Sequence, residues 1–136
     1  MNEFLWPVRV YYEDTDAGGV VYYANYLRFM ERARTEWLRS LGFEQDRLRD
    51  DEGLIFAVRS VKVDYLRPAR FNDGLTVTAK VVSRGRASLS FLQEIHRTPE
   101  HDVLCSGLVK IVSLDPVRFR PRPIPASILA RIPEPE

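Results

Sequence analysis

Across residues 4–12 Val8, Val10 and Tyr12 alternate against Arg9 and Tyr11, and that period of two predicts a strand. Residues 13–19 break the alternation with Glu13, Asp14, Thr15, Asp16 and the pair Gly18-Gly19, which reads as an ordered loop or turn. From about Tyr23 to Leu41 the period lengthens. Tyr26, Met30, Ala33, Trp37 and Leu41 recur at steps of four, three, four and four, which lines one face of a helix. Arg28, Arg32, Thr35, Glu36 and Arg39 fall largely on the opposite face, and Gly42 is placed as its stop. A polar stretch over residues 44–53 suits a connection or a short helix.

Four further strand-like runs follow. Residues 55–66 alternate through Val61, Val63 and Tyr65, with a phase slip near Ser60 that predicts a bulge. Residues 75–82 and 87–95 alternate cleanly, and residues 103–114 are apolar on both faces, as a central strand should be. Turn residues punctuate them at Pro68, Asn72-Asp73-Gly74, Arg84-Gly85-Arg86 and residues 99–102. From about residue 116 the chain is rich in proline, so the tail should run irregularly over the surface, with one helical turn at 126–130. One strand, one long helix and four strands predict an α+β fold, a five-stranded antiparallel sheet wrapped around one long helix. That is the hot-dog arrangement. Such a sheet leaves open edges, for which dimerisation is the expected remedy.

Composition narrows the function without naming it. At 136 residues the chain has room for a single domain spanning 1–136, and 45% hydrophobic residues supply a core. A net charge of +1 argues against a nucleic-acid partner. One cysteine, Cys105, excludes an internal disulfide and suits a reducing compartment; two histidines leave little for a metal cluster. The first residues lack the pattern of a signal peptide and no apolar run is long enough to span a membrane, so the expected location is cytoplasmic. Arginine outnumbers lysine 17 to 3. Its planar fork suits phosphate or carboxylate, although composition bias explains such a ratio equally well.

Candidate chemistry concentrates in residues 11–26, Y-Y-E-D-T-D-A-G-G-V-V-Y-Y-A-N-Y. Three carboxylates precede two glycines and a helix start. Glycine lets backbone approach a ligand closely, and unpaired N–H groups at a helix start suit an oxygen gaining negative charge. A carboxylate opposite such amides is half of an acyl-transfer site. Equally, Asp14 or Asp16 could serve only to cap the helix or tighten the turn.

This segment, continued through L-R-F-M-E-R-A-R-T-E-W-L, closely resembles the 4-hydroxybenzoyl-CoA thioesterase family, in its YbgC-type, Tol–Pal-associated branch. The runs V-D-Y-L-R-P-A-R-F-N-D at 63–73, S-R-G-R-A-S at 83–88 and S-L-D-P at 113–116 extend the resemblance over nearly the whole chain. It implies that Asp16, in the D-x-D-x-x-G signature, attacks a thioester carbonyl or activates water to do so. It also implies that the backbone N–H of Tyr23 polarises the thioester oxygen. Many YbgC-type members carry His at that position; this chain carries Tyr, as the hydroxybenzoyl-CoA enzymes do, which leaves the amide untouched. Gly18, Gly19, Tyr22 and Asn25 match the motif as residues that shape the pocket or brace the loop. Arg59, Arg84 and Arg86 are candidates for the phosphates of coenzyme A.

The resemblance implies an acyl-CoA substrate, or one linked to acyl carrier protein, a homodimer or homotetramer, and no metal or organic cofactor. The other candidates read as structural. Glu31 suits a helix-surface contact, Glu13 and Asp14 anchor the loop, Cys105 fills the core, and His96 and His101 flank a turn on the exposed side. Ser88 and Ser90 lack a G-x-S-x-G elbow. A hot-dog dehydratase would need a histidine base beside the carboxylate, and neither histidine is near Asp16 in sequence. The competing reading is a non-catalytic acyl-thioester-binding or scaffold protein.

Overall fold

The computed structural model describes residues 3–135. Five antiparallel strands form one sheet: β1 (Phe4–Arg9), β2 (Ile55–Tyr65), β3 (Gly74–Arg84), β4 (Ser88–Thr98) and β5 (Val103–Leu114). Their spatial order is β1-β3-β4-β5-β2, so β1 and β2 are the edges. The long helix α1 (Asn25–Ser40) joins those two edges and packs against the sheet. This is the hot-dog fold. Two short helices, α2 (Gln45–Glu52) and α3 (Ala126–Leu129), close the ends.

The apolar face of α1 forms as its periodicity predicts: Tyr26, Met30, Ala33 and Trp37 are buried, joined by Phe29 and Leu38. Trp37 meets Phe91 of β4 edge to face at 5.0 Å. Met30 lies so close to β5 that a Cβ at Gly107 would stand 3.0 Å from its methyl carbon and 3.3 Å from Val63, so only glycine lets the helix settle here without displacing its neighbours. Gly42 follows the helix at φ +97° as its stop. The pairing of β2 with β5 slips between Val58 and Ser60, the bulge expected near Ser60.

Several expectations are corrected. β1 ends at Arg9, because Tyr12–Asp14 coil into a 3₁₀ turn closed by the Asp14 and Thr15 amides donating to the Tyr11 and Tyr12 carbonyls. Tyr12 therefore points to solvent. Helix α1 begins at Asn25 rather than Tyr23, because the Tyr22 amide is still held by the Asp14 carbonyl. β3 and β4 run longer than their cleanly alternating cores. His96 is half-buried, its ring between Glu94 Oε1 at 3.1 Å and the His101 carbonyl at 3.3 Å. The proline-rich tail is also more than a surface strap, since Ile124, Ile128 and Ile132 enter the core at steps of four. Finally, Val61 and Tyr65 of β2 remain 42% and 45% exposed, because β2 is an edge strand with nothing beyond it in this chain.

Candidate active site

Asp16 sits at the tip of a small antiparallel hairpin. Thr15 bridges Val21, the Asp16 amide donates to the Val20 carbonyl at 3.0 Å, and the Tyr22 amide donates to the Asp14 carbonyl at 2.9 Å. The tip closes through Gly18, whose N–H donates to Asp16 Oδ1 at 2.8 Å, and Gly19, whose φ of +80° a side chain would resist. A Cβ at Gly18 would approach Asp16 Oδ1 to 3.2 Å, so the two glycines let the chain wrap its own carboxylate. Only Oδ1 is committed. Oδ2 makes no hydrogen bond among the described residues, and the residue is exposed. The turn-forming and chemical readings of Asp16 are thus compatible, one oxygen for each.

The hairpin is clamped from three sides. The buried Asp14 carboxylate accepts from the Tyr11 amide at 2.8 Å and from Asn25 Nδ2 at 2.9 Å, tying the outgoing strand to the first residue of α1. The Val21 amide donates to the Ala69 carbonyl at 2.8 Å, and Val20 bridges Arg70. The Ala69 amide in turn donates to the Tyr26 hydroxyl at 3.0 Å. That 66–73 loop is itself pinned by Arg97, whose guanidinium donates to Asp73 and, at 2.8 Å, to the Pro68 carbonyl. Asn25 and Asp14 therefore brace the loop. Glu13, by contrast, is exposed and forms no such anchor.

Tyr23 lies in the turn just before α1, and its N–H donates no hydrogen bond among the described residues. An amide left open at a helix start is available to an incoming oxygen. Around it gather Tyr22 at 4.9 Å between ring centroids and Tyr65 at 6.1 Å, with Tyr26 at 5.5 Å from Tyr65. Tyr22's phenol is held above its usual range, first by its hydrogen bond with Tyr23 and in smaller part by the Asp16 carboxylate, which places the Tyr22 hydroxyl within the field of Asp16. Tyr65 and the Ala69 carbonyl belong to this site, yet residue-level reading did not find them. Their only sequence signal is the 63–73 run.

The three arginines lie elsewhere in this chain. β3 leaves the 66–73 loop at Gly74 and ends at Arg84, ten residues on, which is roughly 30 Å of extended strand. Arg86 is exposed on the β3–β4 turn, and Arg59 is exposed at the β2 bulge. Arg84 is engaged: it donates to the carbonyls of Leu129 at 3.3 Å and Ile132 at 3.2 Å and pairs with Glu134 at 3.5 Å, holding the tail. Among the described residues no group of three His, Cys, Asp or Glu side chains converges as a metal site would require. No helix is long and apolar enough to cross a membrane.

A two-layer α+β sheet with an acidic hairpin leading into the central helix defines a class that comparison bears out. The sequence model of the thioesterase-like superfamily matches residues 10–132, and the chain belongs to that family of enzymes. Within it the chain is 48% identical over 127 residues to the acyl-CoA thioester hydrolase YbgC of Escherichia coli, covering 93% of each protein. It is 43% identical to the acyl-CoA thioesterase YbgC of Haemophilus influenzae, covering 95% of this chain and 93% of that one. In fold it matches a 4-hydroxybenzoyl CoA thioesterase mutant crystallised with 4-hydroxybenzoyl CoA, with a TM-score of 0.89 at 20% identity over 98% of this chain and 100% of the other.

Proposed function

We propose that this chain, acting as one domain, hydrolyses acyl-CoA thioesters to a free carboxylate and coenzyme A. The observation that carries the reading is the Asp16 carboxylate, with one oxygen fixed by Gly18 and the other open, on a hairpin that feeds directly into the start of α1. Two routes fit this placement. Asp16 attacks the carbonyl, forms a mixed anhydride and expels the CoA thiolate, which takes a proton; water then cleaves the anhydride. Alternatively, Asp16 takes the proton of a water that attacks directly. In both, the carbonyl oxygen gains charge, and the open Tyr23 N–H is the donor we assign to it.

Asp16→Asn keeps the shape and the acceptor for Gly18 but loses nucleophile and base together. The expected fall in kcat is about 10²–10⁴-fold with little change in KM. Near-normal turnover would remove Asp16 from the mechanism, and absence of turnover by the unaltered enzyme across an acyl-CoA panel would favour a non-catalytic scaffold. Single turnover in ¹⁸O-water tests the first route: label on the Asp16 carboxylate establishes nucleophilic attack with water entering at the aspartyl carbon, whereas label in the product acid alone fits the general-base route or water entering at the acyl carbon.

The assembly follows from the same geometry. Asp16 is exposed, β2 is an open edge bearing Val58, Val61 and Tyr65, and the exposed arginines Arg59 and Arg86 sit at the β2 bulge and on the β3–β4 turn rather than on the hairpin. A homodimer or homotetramer would cover that edge and bring one protomer's arginines toward its partner's Asp16, where coenzyme A phosphates need bidentate donors. Light scattering should therefore give two or four copies, and an active monomer would contradict it. The names of the YbgC relatives support coenzyme A as the carrier of the acyl group; a cytoplasmic, Tol–Pal-associated setting and an acyl carrier protein substrate rest on the motif resemblance alone.

A further inference from the structure

The charge that the hydrolytic reading leaves without a task is Arg34. It projects from the middle of α1, as the tenth residue of the helix, and is half-buried. Its Nη1 donates to Gln93 Oε1 at 3.0 Å. Gln93 is wholly buried, and its own amide nitrogen donates to the carbonyls of Met30 at 3.0 Å and Thr78 at 3.1 Å, so its oxygen is obliged to face Arg34. A guanidinium has five N–H donors. Among the described residues no carboxylate comes within ion-pairing distance of this one. Glu31, one turn earlier, directs its carboxylate to the Thr35 hydroxyl at 3.4 Å instead. Burial works against the charge on Arg34, and Glu31 offsets this only in part.

The guanidinium borders a cavity of about 180 Å³ between α1 and the sheet. Its walls include Trp37, Phe56, Phe91 and Ile111, with Glu31 and Thr35 also lining it. An apolar cavity of ~150 Å³ accepts a benzene ring. A half-buried cation with spare donors beside a space of that size, walled on one side by Trp37, Phe56, Phe91 and Ile111, is matched by a molecule with one anionic end and a compact hydrocarbon body. Planar carboxylate is the anion that fits the fork of arginine at two points.

We propose that this cavity binds a carboxylate on an apolar body of ring or short-chain size, with Arg34 as the anion-recognising group. Two sources share that chemistry: a free acid such as thioester hydrolysis releases, and the distal carboxylate of a dicarboxylic acyl group. Occupancy by a free acid stands independently of the hydrolase reading, whereas the dicarboxylic source rests on it.

Calorimetric titration with benzoate and hexanoate, against benzamide and hexanamide, tests the site without using turnover. The acids should bind at least ten-fold more tightly than their amides. Arg34→Gln should abolish that preference. Equal binding of acid and amide, no binding of either acid at millimolar concentration, or undiminished acid binding by folded Arg34→Gln each overturns the proposal. Kinetics then separate the sources. A ten-fold higher kcat/KM for adipoyl-CoA than for hexanoyl-CoA, lost in Arg34→Gln, assigns the carboxylate to the substrate. Inhibition by benzoate without that preference assigns it to the released acid. If neither thioester is hydrolysed, the hydrolase reading fails while the titration still decides the site.

Discussion

Asn25→Asp offers a stringent test of the clamp beneath the Asp16 hairpin. Asn25 Nδ2 and Asp14 Oδ1 stand 2.9 Å apart with both residues 6% exposed, so the substitution exchanges a donor for an acceptor without changing shape. Two unit charges about 3 Å apart repel by roughly 5–6 kcal/mol at an effective dielectric of ~20. The new charge would gain only ~0.3–1 kcal/mol from the helix N-terminus, so repulsion wins. Proton uptake sets a ceiling: keeping one carboxyl of the pair neutral at pH 7 costs ~1.4 kcal/mol for each unit above an ordinary value near 4, or about 4 kcal/mol. The expected destabilisation at pH 7 is therefore about 3–4 kcal/mol, against ~2 kcal/mol for Asn25→Ala, which removes one charge-assisted hydrogen bond. Urea unfolding followed by the fluorescence of buried Trp37 measures both. The folded Asn25→Asp protein holds a proton that the unfolded chain releases, so its deficit must shrink as pH falls from 7 toward 5. Equal stability of the two variants at pH 7, or a gap indifferent to pH, would refute the clamp.

Two further outcomes follow from the same structure. Cys105 is fully buried in β5, and desolvation, with Asp64 adding to it, pushes its thiol up to about 12. Less than about one part in 10³ is thiolate at pH 8, so a thiol reagent should modify the native protein far more slowly than the urea-unfolded chain; equal rates would place Cys105 outside the core. Arg84→Ala removes two hydrogen bonds to the tail, for a loss of about 1–2 kcal/mol and faster proteolysis after residue 120. An unchanged digestion pattern would show that Ile124, Ile128 and Ile132 hold the tail unaided.

What could be read from the chain and what could not divide along the range of the forces. The buried stripe of α1, the slip in β2 and the span of β5 are written in periodicities of a few residues, and each forms where the pattern puts it. The start of α1 falls later than the local pattern suggests because Tyr22 is held by Asp14, eight residues back, through a hairpin that no local propensity encodes. Proline in the tail masked the spacing of its three buried isoleucines. At the site, the acidic loop, glycines and helix start were legible as a motif, and Asp16 was singled out from it. The floor of that site was not. Tyr65 of β2, the Ala69 carbonyl and Asp73 of the 66–73 loop and Arg97 of β4 stand about 50 to 80 residues beyond Asp16 in the chain, and only folding brings them beneath the hairpin.

The surplus of arginine over lysine acquires a structural meaning that composition could not supply. Arg131 donates to the Leu41 carbonyl at the end of α1. Arg122 donates to the Glu52 and Gly53 carbonyls at the end of α2, and Arg84 to the Leu129 and Ile132 carbonyls at the end of α3. At least one carbonyl at or just past the end of each of these three helices, at the negative end of its dipole, thus accepts from a guanidinium. In Arg122 and Arg84 a single terminal nitrogen, Nη1, donates to two carbonyls at once. Since Arg122 and Arg131 belong to the tail and Arg84 grips it, the same contacts that cap the helices fasten the last segment of chain to the domain. Three of the 17 arginines thus serve helix ends and the tail. Of the three arginines first considered for phosphate, Arg84 serves that structural demand, whereas Arg59 and Arg86 keep their guanidinium groups in solvent.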